Sequence, residues 1–198
     1  MSNNFWDQRY AVDTYVYGTE PNDFIAEELP NMPAGKILFP GEGEGRNAVF
    51  AARLGWEVTA FDSSAEGKAK AERLALAKGV RINYLLASFE EANFPLQSFD
   101  AIALIYTHIP AAVRRGYHQK LMSYLKPGGQ LILEGFAKAQ INNNTGGPKD
   151  INMLWSKEEL ANDFAELSTL EIREIEKELE VGLFHQGKAA IIRAIATK

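Results

Sequence analysis

The chain has 198 residues, 46% of them hydrophobic and 24% charged, with a net charge of −5. This is ordinary globular composition, long enough for a sizeable core, with one domain as the default and disorder excluded. There is no cysteine and no basic block longer than Arg114-Arg115, so disulfides, thiolate metal sites and cysteine nucleophiles are ruled out and nucleic acid is a poor partner.

The opening Met1-Ser2-Asn3-Asn4-Phe5-Trp6-Asp7 has neither a basic nor an apolar signal region. No apolar run reaches the roughly 20 residues of a membrane span. A soluble, cytoplasmic protein with no membrane partner is expected. Residues 5–17 carry Phe5, Trp6, Tyr10, Tyr15 and Tyr17 and stop at Gly18, a helix with an aromatic face. Residues 21–29 form a second helix, closed by Pro30. The first core strand is 36–40, and helix 46–54 ends at Gly55. The next strand, 57–61, ends at Asp62, and Ser63 with Glu66 reads as a capping box for a helix over about 64–78 that stops at Gly79. Residues 81–86 are a third strand and 88–98 a loop. The fourth strand, 99–105, is apolar throughout and hence central.

Pro110 opens helix 110–125, Lys126-Pro127-Gly128-Gly129 is a turn, and 130–134 is a fifth strand. The polar stretch 137–152 is long for a loop, which marks it as functional or mobile. Ser156 and Glu159 make a capping box for helix 156–166. Two strand-like stretches, 169–181 and 188–197, are joined by Gly182-Leu183-Phe184-His185-Gln186-Gly187, a link that favours an antiparallel pair. Glu-Lys alternation at 174–180 competes weakly for helix. There is no internal repeat. Strands alternating with helices predict an α/β fold: a doubly wound, mostly parallel sheet of seven strands with a C-terminal antiparallel pair.

Ile37-Leu38-Phe39-Pro40-Gly41-Glu42-Gly43-Glu44-Gly45-Arg46-Asn47 carries the functional argument. A buried strand breaks into three alternate glycines, and a helix follows at once. These are the parts of a nucleotide site. The glycines let backbone N–H groups approach a ligand, and the first turn of the helix aims free N–H groups at it. Glu42 and Glu44 select the ligand. A pyrophosphate about 4 Å away would be repelled by roughly 1 kcal/mol in water and about 4 at an effective dielectric of 20. The ammonium and sulfonium of S-adenosylmethionine would be attracted. Spacing alone does not decide, since Gly43 to Ala48 also fits the dinucleotide fingerprint.

Ligands of open α/β sheets sit outside the carboxyl ends of the strands. Asp62 ends the second strand, 17 residues after Gly45, and an acceptor-only carboxylate suits two ribose hydroxyls. The competing role, N-cap of the next helix, can be filled by Ser63 or Ser64. After the third strand, Phe89 and Ser88 supply an apolar face and a polar edge for an adenine, although Phe89 also suits a plain core. The fourth strand ends at Ile105-Tyr106-Thr107-His108, which directs Tyr106 and His108 to the reacting centre.

These features resemble the class I S-adenosylmethionine-dependent methyltransferases over nearly the whole chain. Residues 37–47 look like that family's first motif and 57–63 like its second. Asn93 to Asp100 and Leu125 to Gly129 are similar to its later signatures. Phe39-Pro40-Gly41 and Gly45-Arg46-Asn47 are most similar to the tellurite-resistance and thiopurine methyltransferase-like branch. The resemblance implies a single methyltransferase domain over 1–198, with 1–30 a helical cover and 36–198 the core. It implies S-adenosylmethionine held by Gly41, Glu42, Gly43, Gly45, Asn47, Asp62, Ser63, Ser88, Phe89, Glu90, Ile105 and Tyr17. No metal is implied. The acceptor is expected to be a small molecule, a thiol or a tellurite- or selenite-like oxyanion, and the protein a monomer or homodimer. Two positions depart from the family. Phe39 stands where an acidic residue is usual in the first strand, and Ser88 where one is frequent after the third. Glu42 or Glu44 is the candidate to meet the cofactor's ammonium instead.

His108 is the candidate general base, with Tyr106 beside it; capping the helix at Pro110 is its other possible role. His118 is expected to be exposed on its helix. His185 is a turn residue or a pocket wall, and Glu134 a second base or a buried pair. Trp6, Tyr10, Tyr15 and Tyr17 are expected to cover the cofactor, and 137–152 to gate the acceptor. Two rivals stay open: a non-catalytic S-adenosylmethionine-binding protein of the same fold, and an NAD(P)-dependent oxidoreductase.

Overall fold

The computed structural model describes residues 3–182 and 185–198. The chain divides into two compact units, Met1–Asn93 and Phe94–Lys198. Its seven strands form a sheet of order β3-β2-β1-β4-β5-β7-β6. This is the seven-stranded, mostly parallel α/β architecture with a C-terminal antiparallel pair that the sequence predicts.

The first unit holds α1 (Asn3–Tyr10), α2 (Asp23–Glu28), β1 (Lys36–Pro40), α3 (Arg46–Arg53), β2 (Glu57–Asp62), α4 (Ala65–Ala77) and β3 (Asn83–Leu86). β2 pairs in parallel with β1 on one side and β3 on the other. Ile37, Leu38 and Phe39 are all fully buried. A strand covered on both faces needs such an unbroken apolar run rather than alternation. α3 buries Ala48, Val49 and Ala51. Val49 joins Leu74 and Ala75 of α4 in a core cluster against which Tyr15, Val80 and Ile82 pack.

Two predicted features differ. The aromatic helix stops at Tyr10 instead of reaching residue 17. Val12, Asp13, Thr14 and Val16 are poor helix formers, and the N–H groups of Val16 and Tyr17 donate to the Glu44 carboxylate rather than to a preceding turn. The cap of α4 is Ser64, whose hydroxyl accepts from Gly67 N–H, and not a Ser63–Glu66 box. Ser64 holds the extended backbone that an N-cap requires, and its hydroxyl also donates to Asp7 at 2.6 Å, tying α1 to α4.

The second unit holds β4 (Phe99–Ile105), α5 (Ala111–Tyr124), β5 (Leu125–Phe136), α6 (Lys157–Asp163), β6 (Thr169–Val181) and β7 (His185–Thr197). β4 and β5 are parallel, while β7 runs antiparallel to both β5 and β6. The predicted turn at 126–129 lies inside β5. It is accommodated as an irregularity, with Gly128 at φ +78 and a register shift opposite Phe99 and Ala101. The 174–180 segment is strand, not helix, paired along its length with β7. The capping box of Ser156 and Glu159 is present at α6. Leu183, Phe184 and the side chain of His185 fall outside the described residues, and with them the role expected of His185. Among the described residues no helix is long and apolar enough to cross a membrane.

Candidate functional site

In the first unit β1 runs into the glycine loop, where Gly41, Gly43 and Gly45 take φ of +62, +63 and +87. Glu42 folds its side chain back onto the start of α3. Its Oε1 accepts from Asn47 N–H at 2.9 Å and Ala48 N–H at 2.8 Å, and its Oε2 lies 3.4 Å from the Asn47 amide nitrogen. Gly45, the N-cap, has no side chain to do this. The helix N–H groups that the sequence aims at a ligand are therefore taken by the chain's own carboxylate. Burial pushes Glu42 up to about 7, against the pull of those hydrogen bonds.

Glu44 serves a different purpose. It is buried, its Oε1 accepts from Val16 N–H at 3.1 Å and Lys70 Nζ at 2.8 Å, and its Oε2 accepts from Tyr17 N–H at 3.2 Å. Lys70, equally buried, also donates to Thr14 O at 2.7 Å. Arg46 donates to Tyr17 O, and Asn47 Oδ1 accepts from Asn22 N–H. The polar residues of the loop thus clamp residues 14–22 onto it. Tyr17 is held by its backbone here, while its hydroxyl accepts from Arg9. Of the two candidates for a ligand ammonium, Glu44 is consumed by this clamp.

Gly43 and Gly45 are also required by packing within the chain, besides their positive φ. A Cβ on Gly43 would stand 2.5 Å from the Tyr10 hydroxyl, and one on Gly45 2.5 Å from Ala71 Cβ. Tyr84 donates to Gly43 O at 2.6 Å. No local pattern in the sequence distinguishes Lys70 or Tyr84 from a surface or core residue, and Arg46 stands out there only as part of the loop motif.

Asp62, at the end of β2, is buried. Its Oδ2 accepts from Gly43 N–H at 3.0 Å and its Oδ1 from Ser64 N–H at 2.9 Å. Burial raises its carboxyl, opposed by the hydrogen bonds from Ser64, Gly43 and Ser63. A carboxylate oxygen has capacity beyond one such bond, so both oxygens can accept again. Asp62 and the glycine loop are thus brought together directly, with Ser63 beside them. Ser88 pairs with Glu91. Its N–H donates to Glu91 Oε2 and its hydroxyl accepts from Glu91 N–H, closing a local turn. Half-buried Phe89 meets Phe61 edge to face at 5.1 Å. Glu90 is exposed.

In the second unit Ile105 is buried at the end of β4 and Tyr106 follows at φ +51, a strained conformation for a non-glycine residue. Tyr106 donates its N–H to Glu134 O at 2.7 Å, and its ring packs 4.8 Å from that of Phe136. His108 stacks on the same Phe136 at 6.2 Å. Glu134 is a buried pair, not an open base: Arg193, its register partner, donates to it at 2.6 Å.

His118 corrects the sequence reading. It is fully buried, its Nδ1 is 2.9 Å from Asp163, and its ring stacks on Phe164 at 4.7 Å. Burial lowers its pKa, opposed by the hydrogen bond and charge of Asp163. Arg114, one helical turn earlier, donates to the same carboxylate.

The 137–152 stretch is pinned by Gln140, which is 1% exposed. Its Oε1 accepts from Ala190 N–H at 2.8 Å and Asn143 Nδ2 at 3.0 Å, and its Nε2 donates to Thr145 Oγ1 at 3.1 Å and Gly146 O at 3.0 Å. Gln140→Ala orphans a buried backbone N–H, a loss of about 1–3 kcal/mol. Limited proteolysis should then cut within 141–149 faster than in the parent. Equal cleavage would show that the loop is held by other contacts.

Residues 37–129 match the family model described as a methyltransferase domain. A ubiquinone biosynthesis O-methyltransferase from Xanthomonas axonopodis pv. citri is 37% identical over 141 residues, 67% of this chain and 56% of that protein. The ribosomal protein L11 methyltransferase of Thermus thermophilus is 34% identical over 107 residues, 54% of this chain and 40% of that protein. The chain therefore spans about half the length of the curated relatives it matches. Among solved structures, TehB from Haemophilus influenzae superposes with a TM-score of 0.74 at 16% identity, covering 99% of this chain and 66% of that one. Residues 37–129 are thus similar to a methyltransferase domain, and the fold is the one seen in TehB.

Proposed function

We propose that this chain is a methyltransferase that binds S-adenosylmethionine and transfers its methyl group to a small-molecule acceptor. The observation that carries this reading is the position of Glu42. It fills the α3 N-terminus with the chain's own carboxyl group. A pyrophosphate arriving there would meet a carboxylate where a dinucleotide site offers N–H groups. A cationic cofactor meets an attractive charge instead. The donor set suits the rest of it: Asp62 for the ribose hydroxyls, Phe89 for the adenine face, and the glycine loop with Tyr17 and Asn47 alongside.

When bound, S-adenosylmethionine supplies a methyl carbon activated by its sulfonium. The protein's part is to hold the acceptor in line with it, worth up to about 7–11 kcal/mol of barrier. Tyr106 and His108 are assigned to the acceptor, the strained Tyr106 backbone setting its ring on Phe136. His108 takes a proton where the acceptor is a hydroxyl or amine, and is dispensable for a thiolate or oxyanion. Residues 1–198 act in this reading as one cytoplasmic domain, monomeric or dimeric, with 1–30 covering the loop. A thiol or a tellurite- or selenite-like oxyanion is the acceptor class favoured by the resemblance to the tellurite-resistance branch.

A thermal-shift titration with S-adenosylhomocysteine and NADH in parallel tests the cofactor. S-adenosylhomocysteine at ~100 times its Kd should add about 2.7 kcal/mol of stability, with no response to NADH. A response to NADH alone would replace the proposal with the oxidoreductase. Binding without turnover on a panel of thiols, phenols, tellurite and selenite would favour the non-catalytic form of the fold.

A further inference from the structure

We infer that Glu42 is the receptor for the ammonium group of the cofactor. The inference rests on the proposal that the chain binds S-adenosylmethionine. Three carboxylates surround the glycine loop, and their existing partners separate them. Glu44 spends both oxygens on Val16, Tyr17 and Lys70, and Lys70 cancels its charge. Asp62 bridges Gly43 N–H and Ser64 N–H at the strand end suited to a ribose. Glu42 has the most weakly engaged oxygen of the three. The two helix N–H groups converge on Oε1, and Oε2 has only the 3.4 Å contact with Asn47. Among the described residues Glu42 forms no ion pair, and it is half-buried.

The surroundings favour a cation. Arg46 is the positive charge acting on Glu42, and it is bound to Tyr17 O. The phenols of Tyr10 and Tyr84 are pushed well up by burial and stay neutral, and the Asp62 carboxylate acts on both of them. An ammonium on Oε2 gains a charge-assisted hydrogen bond without disturbing the cap made by Oε1. The held group also carries a proton signature. Glu42 sits at about 7 in the free protein, and a neighbouring cation favours its ionised form. Binding near neutral pH must therefore release protons, and affinity must rise as pH goes from 6 to 7.5.

The test uses isothermal titration calorimetry of the full chain and of Glu42→Gln, with two ligands: S-adenosylhomocysteine, which has the ammonium, and methylthioadenosine, which lacks it. Glutamine keeps an acceptor for the α3 N–H groups, and the melting temperature of the free variant checks the fold. The expected result is a loss of about tenfold or more in S-adenosylhomocysteine affinity at pH 7.5, with methylthioadenosine unchanged. In the parent, proton release should appear as a buffer-dependent enthalpy for S-adenosylhomocysteine only. Equal affinities in parent and variant would overturn the assignment of Glu42 and leave the cofactor standing. So would an equal loss for both ligands, which would mean that Glu42 acts by shaping the loop. A parent that binds neither ligand would instead remove the cofactor reading beneath it.

Discussion

Asp62→Ala is expected to abolish most of the stabilisation that S-adenosylhomocysteine confers. The carboxylate is the polar group at the end of β2, it is buried, and it is oriented by Gly43 and Ser64 N–H groups. Pre-set acceptors of this kind bind a pair of hydroxyls at little ordering cost. Losing it removes two charge-assisted hydrogen bonds to the ribose, each worth about 1.5–3 kcal/mol. That is at least the size of the whole ~2.7 kcal/mol shift expected at 100-fold saturation. The free variant also loses its bridge to the loop, so its own melting temperature falls and serves as the baseline. The ligand-induced increment above that baseline is the measured quantity. An increment equal to the parent's would show that the ribose is held elsewhere.

Lys70→Met should be the most destabilising single change in the first unit. It leaves Glu44 charged and buried, still accepting from Val16 and Tyr17, with its counter-charge gone. Removing one partner of a buried pair costs about 3–5 kcal/mol, because the remaining charge keeps its desolvation penalty. For a chain of this size each kcal/mol lowers Tm by about 2–4 °C. Adding Glu44→Gln to Lys70→Met should restore part of the loss, since the uncompensated charge is then gone while Gln can still accept one backbone bond. A drop under about 1 kcal/mol in denaturant melts of Lys70→Met would place the pair among weak surface bridges and dissolve the clamp. The same clamp changes what truncation means. Deleting residues 1–20 strips Glu44, Lys70 and Arg46 of their partners at Thr14, Val16 and Tyr17. Stability should fall in that truncation along with any change in cofactor affinity.

Much of the fold was legible because its signals are local. An unbroken apolar run marked β1 and β4, and Gly55 marked the end of α3. Ser156 with Glu159 marked the start of α6. The candidate site was legible to the same depth. The glycine loop and Asp62 lie at strand ends that the strand–helix alternation fixes, and the structure joins them through one hydrogen bond. Where local signals were ambiguous the reading slipped. Ser63 and Ser64 compete for one cap, and the backbone conformation at Ser64 decides it.

The amino-acid sequence by itself determined the order of strands and helices, the glycine loop, the acidic end of β2 and the antiparallel close. Each depends on side-chain periodicity or turn chemistry within a few residues. Only the tertiary structure decided what the charged residues do. Glu44 meets Lys70 across 26 residues, His118 meets Asp163 across 45, Gln140 meets Ala190 across 50, and Glu134 meets Arg193 across 59. A carboxylate, an imidazole or an amide looks the same in sequence whether it faces solvent or a partner. The difference arises when strand register and helix docking remove water from the group and supply a substitute for it. That event separates Glu42 from Glu44, two residues apart in one loop: the first half-buried and capping a helix, the second enclosed with Lys70.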